Sequence, residues 1–166
     1  VVGIPWDQAL QPILDANCIS CHDGTPGAAN PSYTISDDMG YSQTITFDLR
    51  GDEVSYGTGD EMVSGYSASH LSLIGPDMMD IEDLGLTITG EMKTYVESEN
   101  SRGSLLIQML NPMQMYPTID TNVRAFPVTG DIHEGMLTAE EINLFNEMAD
   151  NGGQFYSREN APGQNY

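Results

Sequence analysis

The reactive side chains of this chain are concentrated in the pentapeptide Cys18-Ile19-Ser20-Cys21-His22, and C-x-x-C-H is the attachment signature of a c-type haem. The two cysteine sulfurs add across the vinyl groups of the porphyrin. The two intervening residues let both sulfurs reach one edge of the ring while the histidine turns under the iron. The pattern makes Cys18 and Cys21 the covalent anchors of one haem c, and His22 its proximal iron ligand. Other uses of the pair fit less well. A redox dithiol of the thioredoxin type wants a βαβ context, and a zinc site wants a second Cys or His pair at close spacing. Cys18 and Cys21 are the only cysteines, and a disulfide between them would close so short a loop that it would restrain the unfolded chain little.

The elements that must position this motif are written in the periodicities on either side of it. Trp6, Ala9, Leu10, Ile13, Leu14 and Asn17 recur at helical spacing and predict a helix running into Cys18. Pro12 lies inside it, so either the helix kinks there or Pro12 opens a new one. From Gly24 to about Gly90, clusters of Gly, Pro, Ser and Asp punctuate short runs such as 41–47, where Tyr41, Gln43, Ile45 and Phe47 share a face. That stretch reads as a long irregular insertion holding one β-hairpin. A short helix is expected over 102–110, with Leu105, Leu106, Met109 and Leu110 buried and Pro112 as its stop. The last helix is the best specified. Thr138-Ala139-Glu140-Glu141 is a capping box, Ile142, Phe145, Met148 and Ala149 form an apolar stripe, and Gly152-Gly153 ends it. Residues 157–166 read as a polar tail. The expected fold is mainly α, with helices around one covalent haem in a single domain spanning 1–166.

Charge narrows the partners. With 25 acidic residues against 5 Lys and Arg, the formal net charge is -20, which repels phosphate backbones and anionic membranes and excludes nucleic-acid binding. A solvated acidic surface suits an extracytoplasmic setting, and it would also steer a basic redox partner. No apolar stretch approaches the length of a membrane span. Haem attachment to C-x-x-C-H takes place outside the cytoplasmic membrane, so a periplasmic or extracellular location is expected, with a signal peptide already removed. Acidic clusters at Asp37-Asp38, Asp52-Glu53, Asp60-Glu61 and from Asp77 to Asp83 raise calcium as a ligand. None has EF-hand spacing, and charged loop tips are the simpler reading. A serine hydrolase is disfavoured because Ser69-His70 lacks a nucleophile elbow.

Pro12-Ile13-Leu14-Asp15-Ala16-Asn17 leading into the haem motif, then Ser104-Leu105-Leu106-Ile107, then Leu137-Thr138-Ala139-Glu140-Glu141-Ile142, resembles a monohaem cytochrome c domain. More narrowly the chain is similar to the haem domains of the hydrazine synthase-like group, whose last helix commonly runs Leu-Thr-x-Glu-Glu and ends Trp-Ile-Asp-x-Gly-Ala-Gln. Here that ending is Met148-Ala149-Asp150-Asn151-Gly152-Gly153-Gln154, with Met148 in place of the tryptophan. The similarity covers the first 25 or so residues and roughly the last 60. It implies an electron carrier, or alternatively the haem subunit of a larger redox enzyme with an open distal face.

The choice between those two rests on the sixth iron ligand. His133 is the first candidate, since the similar domains often carry a histidine or methionine just before the last helix. Met136 lies three residues on. Met113 and Met115, between Pro112 and Pro117, resemble the loop on which ordinary cytochromes c place a ligand methionine. His70 reads as structural or exposed, and most of the ten methionines as core or pocket filler.

Overall fold

The computed structural model of the protein describes residues 4–59, 62–90, 92–110 and 133–152. They belong to two units, one formed by residues 1–13 with 94–166 and the other by residues 14–93. Among the described residues, no helix is long and apolar enough to cross a membrane.

The chain enters through a π-helical turn, Trp6–Leu10, which runs straight into α1, Gln11–Asn17. The π turn accounts for Pro12. Proline has no N–H to donate and its ring crowds the carbonyl of the residue four before it, so an unbroken α-helix would be strained there. The wider turn, in which the Gln11 N–H reaches back to the Trp6 carbonyl, absorbs the mismatch one residue before the proline. The α-helix thus begins at Gln11, one residue before the expected Pro12, and the proline sits in its first turn, where it is tolerated. Trp6, Leu10, Ile13 and Leu14 are buried, as the helical stripe predicts.

In the first unit, α5, Ala139–Asp150, packs against the π turn and against α4, Leu105–Leu110. The Thr138 hydroxyl accepts from the Glu141 N–H, and the Glu141 carboxylate accepts from the Thr138 N–H at 2.7 Å, so the expected capping box is formed. Ile142, Phe145, Met148 and Ala149 are all buried. At the other end of the helix, segment 98–101 supplies partners to groups that helix geometry leaves over. The Glu99 N–H donates to the Ala149 carbonyl at 2.7 Å, the Ser98 hydroxyl donates to the Gly152 carbonyl at 2.6 Å, and the Ser101 N–H donates to the Asp150 carboxylate at 2.9 Å. The helix expected from Arg102 begins later, at Leu105. The Ser104 N–H turns back to the Asn100 and Ser101 carbonyls, which holds residues 101–104 in a tight turn.

The second unit corrects the expected fold class. Its described residues form five strands in two antiparallel sheets, so the protein is mixed α/β and not a mainly α bundle of cytochrome c-like helices, and residues 24–90 are not an irregular insertion with one hairpin. Strands β1, Ser32–Ser36, β2, Ser42–Thr46, and β5, Thr87–Gly90, form a sheet in the order β2-β1-β5. A second sheet pairs β3, Glu53–Tyr56, with β4, Val63–Ser67. Two short helices, α2, Ala68–Leu73, and α3, Met78–Asp83, lie between β4 and β5 in the chain.

The three-stranded sheet has two chemically distinct faces. Tyr33, Ile35 and Ile45 enter a core completed by Tyr56, Leu71, Ile81 and Leu86. The opposite face carries Ser32, Thr34, Ser36, Thr44, Thr46 and Thr87. There, cross-strand hydroxyl pairs join Ser32 to Thr46 at 3.0 Å and Thr34 to Thr44 at 3.3 Å. The run expected at 41–47 contains β2, but hydroxyl-rich strands of four and five residues look like loop to a reading based on apolar runs, which is why the other strands were hidden in the sequence. Gly90, at φ +101°, is demanded by packing, since a Cβ there would sit 3.3 Å from the Ser32 carbonyl and from the Tyr33 Cα.

The Tyr33 hydroxyl is buried with no hydrogen-bond partner among the described residues, and burial pushes its ionisation up from 10.0 to about 12. A buried hydroxyl without a partner adds nothing to stability, so Tyr33→Phe should leave the fold unchanged at neutral pH or stabilise it by up to about 1 kcal/mol. The folded value lies above the unfolded one. The neutral phenol's contribution is therefore fully present below pH 10 and lost as the pH rises toward 12. Chemical denaturation across that window should show the unfolding free energy of the parent falling by about 3 kcal/mol more than that of Tyr33→Phe. Parallel pH profiles for the two proteins would contradict the assignment.

Candidate haem-attachment site

After α1 the chain makes one further helical turn. The Cys18 N–H donates to the Leu14 carbonyl at 2.8 Å, and the Cys18 carbonyl accepts from both the Cys21 and the His22 N–H at 3.1 Å. Residues three and four apart on such a turn lie on one face, so Cys18, Cys21 and His22 are brought to the same side. Cys18 is partly buried and Cys21 exposed, and no disulfide joins them. The thiol pair is thus presented at the surface, where a flat ligand's edge could reach it.

His22 is held by more than its place on the turn. Its Nδ1 lies 3.1 Å from the Ala29 carbonyl oxygen and 3.1 Å from Asn30 Oδ1. The Asn30 amide orientation is set by its other end, since Nδ2 donates to the Thr25 carbonyl at 2.8 Å and to the Cys21 carbonyl at 3.3 Å. Both atoms facing Nδ1 are therefore acceptors, and the neutral ring that satisfies them carries its proton on Nδ1 and its lone pair on Nε2. That is the tautomer a metal-ligating histidine needs. Phe47 meets the His22 ring edge to face, with centroids 5.1 Å apart and planes at 78°.

The segment after β2 fastens the motif to the rest of this unit. The Leu49 N–H donates to the His22 carbonyl, the Phe47 N–H donates to the Pro31 carbonyl, both at 2.9 Å, and Asp23 pairs with Asp48 as an isolated antiparallel bridge. Asp48 is buried. It accepts from the Arg50 guanidinium at 2.6 Å and from the Arg50 N–H at 2.9 Å, while its own N–H donates to Ser72 Oγ at 2.8 Å. The carboxylate in turn keeps Arg50 protonated beyond its ordinary range. Next to the motif, the Thr25 N–H donates to the Asp23 carboxylate and holds it below the usual range of an aspartate.

The remaining expected site residues are distributed as follows. His133 and Met136 lie in the turn before α5, in the first unit, with the Met136 N–H donating to the His133 carbonyl at 3.2 Å and the Met136 side chain exposed. Met113 and Met115 lie outside the described residues, as do Gly153 and the tail 157–166. His70 is buried in α2 and stacks on Tyr66, with centroids 5.2 Å apart, which gives it a structural place. Among the acidic clusters, Asp37 accepts from the Met39 and Tyr41 N–H groups and Asp77 caps α3. Among the described residues, no group of three or more His, Cys, Asp or Glu side chains is arranged to hold a metal ion. Asn30 and Asp48 were not singled out from the sequence, and Phe47 was read only as part of the alternating run 41–47. The buried asparagine eight residues after the histidine has no motif to mark it.

Gly24 shows how closely the fastening segment approaches. It adopts φ +78°, and a Cβ there would lie 2.7 Å from Asp48 Oδ2. Gly24→Ala should therefore lower stability by about 1–3 kcal/mol in denaturant titration. Gly27→Ala, whose Cβ would have nothing nearer than the Thr25 carbonyl at 4.0 Å, should change it by less than about 0.5 kcal/mol. Equal effects at the two positions would rule out the close approach as the cause. Compared with protein-family models, curated proteins and solved structures, the chain matches none of them significantly.

Proposed function

We propose that this chain is a c-type cytochrome domain that carries one haem through Cys18 and Cys21, ligates its iron with His22, and transfers electrons outside the cytoplasm. The observation that carries this reading is the commitment of His22 Nδ1 to the Ala29 carbonyl and Asn30 Oδ1, on the same turn that presents both cysteines. An Nδ1–H engaged by two acceptors is the arrangement that supports ligation through Nε2, and it stands here beside a C-x-x-C pair. The residues fit the group: a partly buried and an exposed thiol on one helical turn, and an imidazole with its lone pair on Nε2. When bound, the iron would supply a one-electron redox centre. The chain's own residues fix the ligand ring, hold the attachment loop, and place the Asp23 carboxylate directly after the ligand histidine.

The similarity of the motif and the last helix to monohaem cytochromes c supports the same reading. His133 is the proposed distal ligand, with Met136, Met113 and Met115 as the alternatives. The net charge of -20 favours a basic redox protein as partner through electrostatic steering, and that association should weaken with rising salt.

Expression with export and haem-attachment machinery should give a denatured chain heavier by one haem, and Cys18→Ala with Cys21→Ala should abolish the increment. An unmodified mass in cells that load a control cytochrome would overturn the proposal. In the loaded protein, ligation by His133 predicts a low-spin ferric spectrum without the weak near-infrared sulfur-to-iron band. Appearance of that band would assign a methionine instead. A high-spin spectrum with rapid carbon monoxide binding would favour the redox-enzyme reading over the carrier.

A further inference from the structure

We propose that Asn30 is a positioning residue for the haem ligand: its side-chain amide locks the His22 ring in the Nδ1–H tautomer and adds to the electron density that Nε2 offers the iron. This rests on the reading of His22 as the proximal ligand. The geometry assigns the two ends of the amide different tasks. Oδ1 accepts from His22 Nδ1–H at 3.1 Å, while Nδ2 ties the same residue to the Cys21 and Thr25 carbonyls at 3.3 and 2.8 Å. Asn30 is 5% exposed, so its side chain is largely withdrawn from solvent. Its backbone N–H is also engaged, donating to the Gly27 carbonyl at 3.0 Å.

A single carbonyl, that of Ala29, would already favour the Nδ1–H tautomer. A second acceptor aimed at the same proton does two further things. It fixes the rotation of the ring, because only one setting keeps Nδ1 within reach of both oxygens. It also pulls the N–H proton outward, which makes the opposite nitrogen a better donor to a metal. Through Nδ2 the same side chain is bonded to the carbonyl of the second haem-anchoring cysteine. The ring is therefore set relative to the attachment turn by one side chain.

The test starts with the full chain before haem loading. Nitrogen-15 NMR of the His22 ring should show Nδ1 protonated and Nε2 unprotonated, and an Nε2-protonated ring would overturn the proposal without any variant. In Asn30→Leu, exchange of the Nδ1–H proton should speed up by about fivefold, the factor expected for losing one net hydrogen bond. In the haem-loaded proteins, Asn30→Leu should have a more positive reduction potential than the parent. Asn30→Asp, which keeps an acceptor but loses both Nδ2 bonds, should have a more negative one. Because the new carboxylate lowers the potential by its charge alone, Asn30→Leu decides: a potential equal to or below that of the parent would also overturn the proposal. Failure of the parent chain to take up haem would count against the proposed function, while the tautomer and exchange measurements would still judge Asn30.

Discussion

The hydrogen bond donated by the Leu49 N–H to the His22 carbonyl, 2.9 Å long, joins the attachment turn to the strand system, and the arrangement of the second unit follows from it. A carbonyl at the end of a helical turn has no partner within the turn and must find one elsewhere. By finding it in segment 47–50, the turn brings Phe47 against the His22 ring and Asp48 under Gly24. The Phe47 N–H to Pro31 carbonyl bond continues the ladder that pairs Ser32 with Thr46. The register of β1 on β2 is thus anchored at the motif end. A slip of one residue would carry Ile45 to the hydroxyl face and turn Phe47 away from the histidine.

The two units solve the problem of unsatisfied backbone groups differently. In the first, the C-terminal end of α5 is completed by the main chain and side chains of segment 98–101, so the polar ends of a helix are met by a neighbouring loop. In the second, short strands rely on the sheet ladder and on hydroxyl pairs across it. Tyr41 and Gln43 link the sheets: the Tyr41 hydroxyl donates to Gln43 Oε1 and accepts from the Gly57 N–H, and Gln43 Nε2 donates to the Ser55 carbonyl. In so acidic a chain, the Arg50 guanidinium has particular weight, since it offsets the buried Asp48 carboxylate that would otherwise be left uncompensated beside the motif.

The parts of the fold legible in the sequence were those held together by local chemistry. The capping box at Thr138 and the stripe through Ile142, Phe145, Met148 and Ala149 are contained within one helix, and both are present as read. The buried stripe from Trp6 to Leu14 was legible for the same reason, although the π turn ahead of Pro12 was not. Of the strands, β2 was legible within the alternating run 41–47, while the others were hidden because nearly half of the strand residues are Ser or Thr and because β5 finds its partner far along the chain. β5 pairs with β1 across more than fifty positions, and Thr87-Ile88-Thr89-Gly90 by itself gives no sign of it.

The sequence by itself determined the cysteine spacing, the histidine beside it, the acidic balance and the helices that flank the motif, because each depends on residue type and short-range periodicity. Tertiary structure alone decided the mixed α/β class and the environment of His22. Its tautomer is chosen by oxygens from Ala29 and Asn30, and its ring is flanked by Phe47. Those contacts come from loop closure and strand pairing, whose free energy depends on which distant groups meet, and no local pattern encodes that meeting.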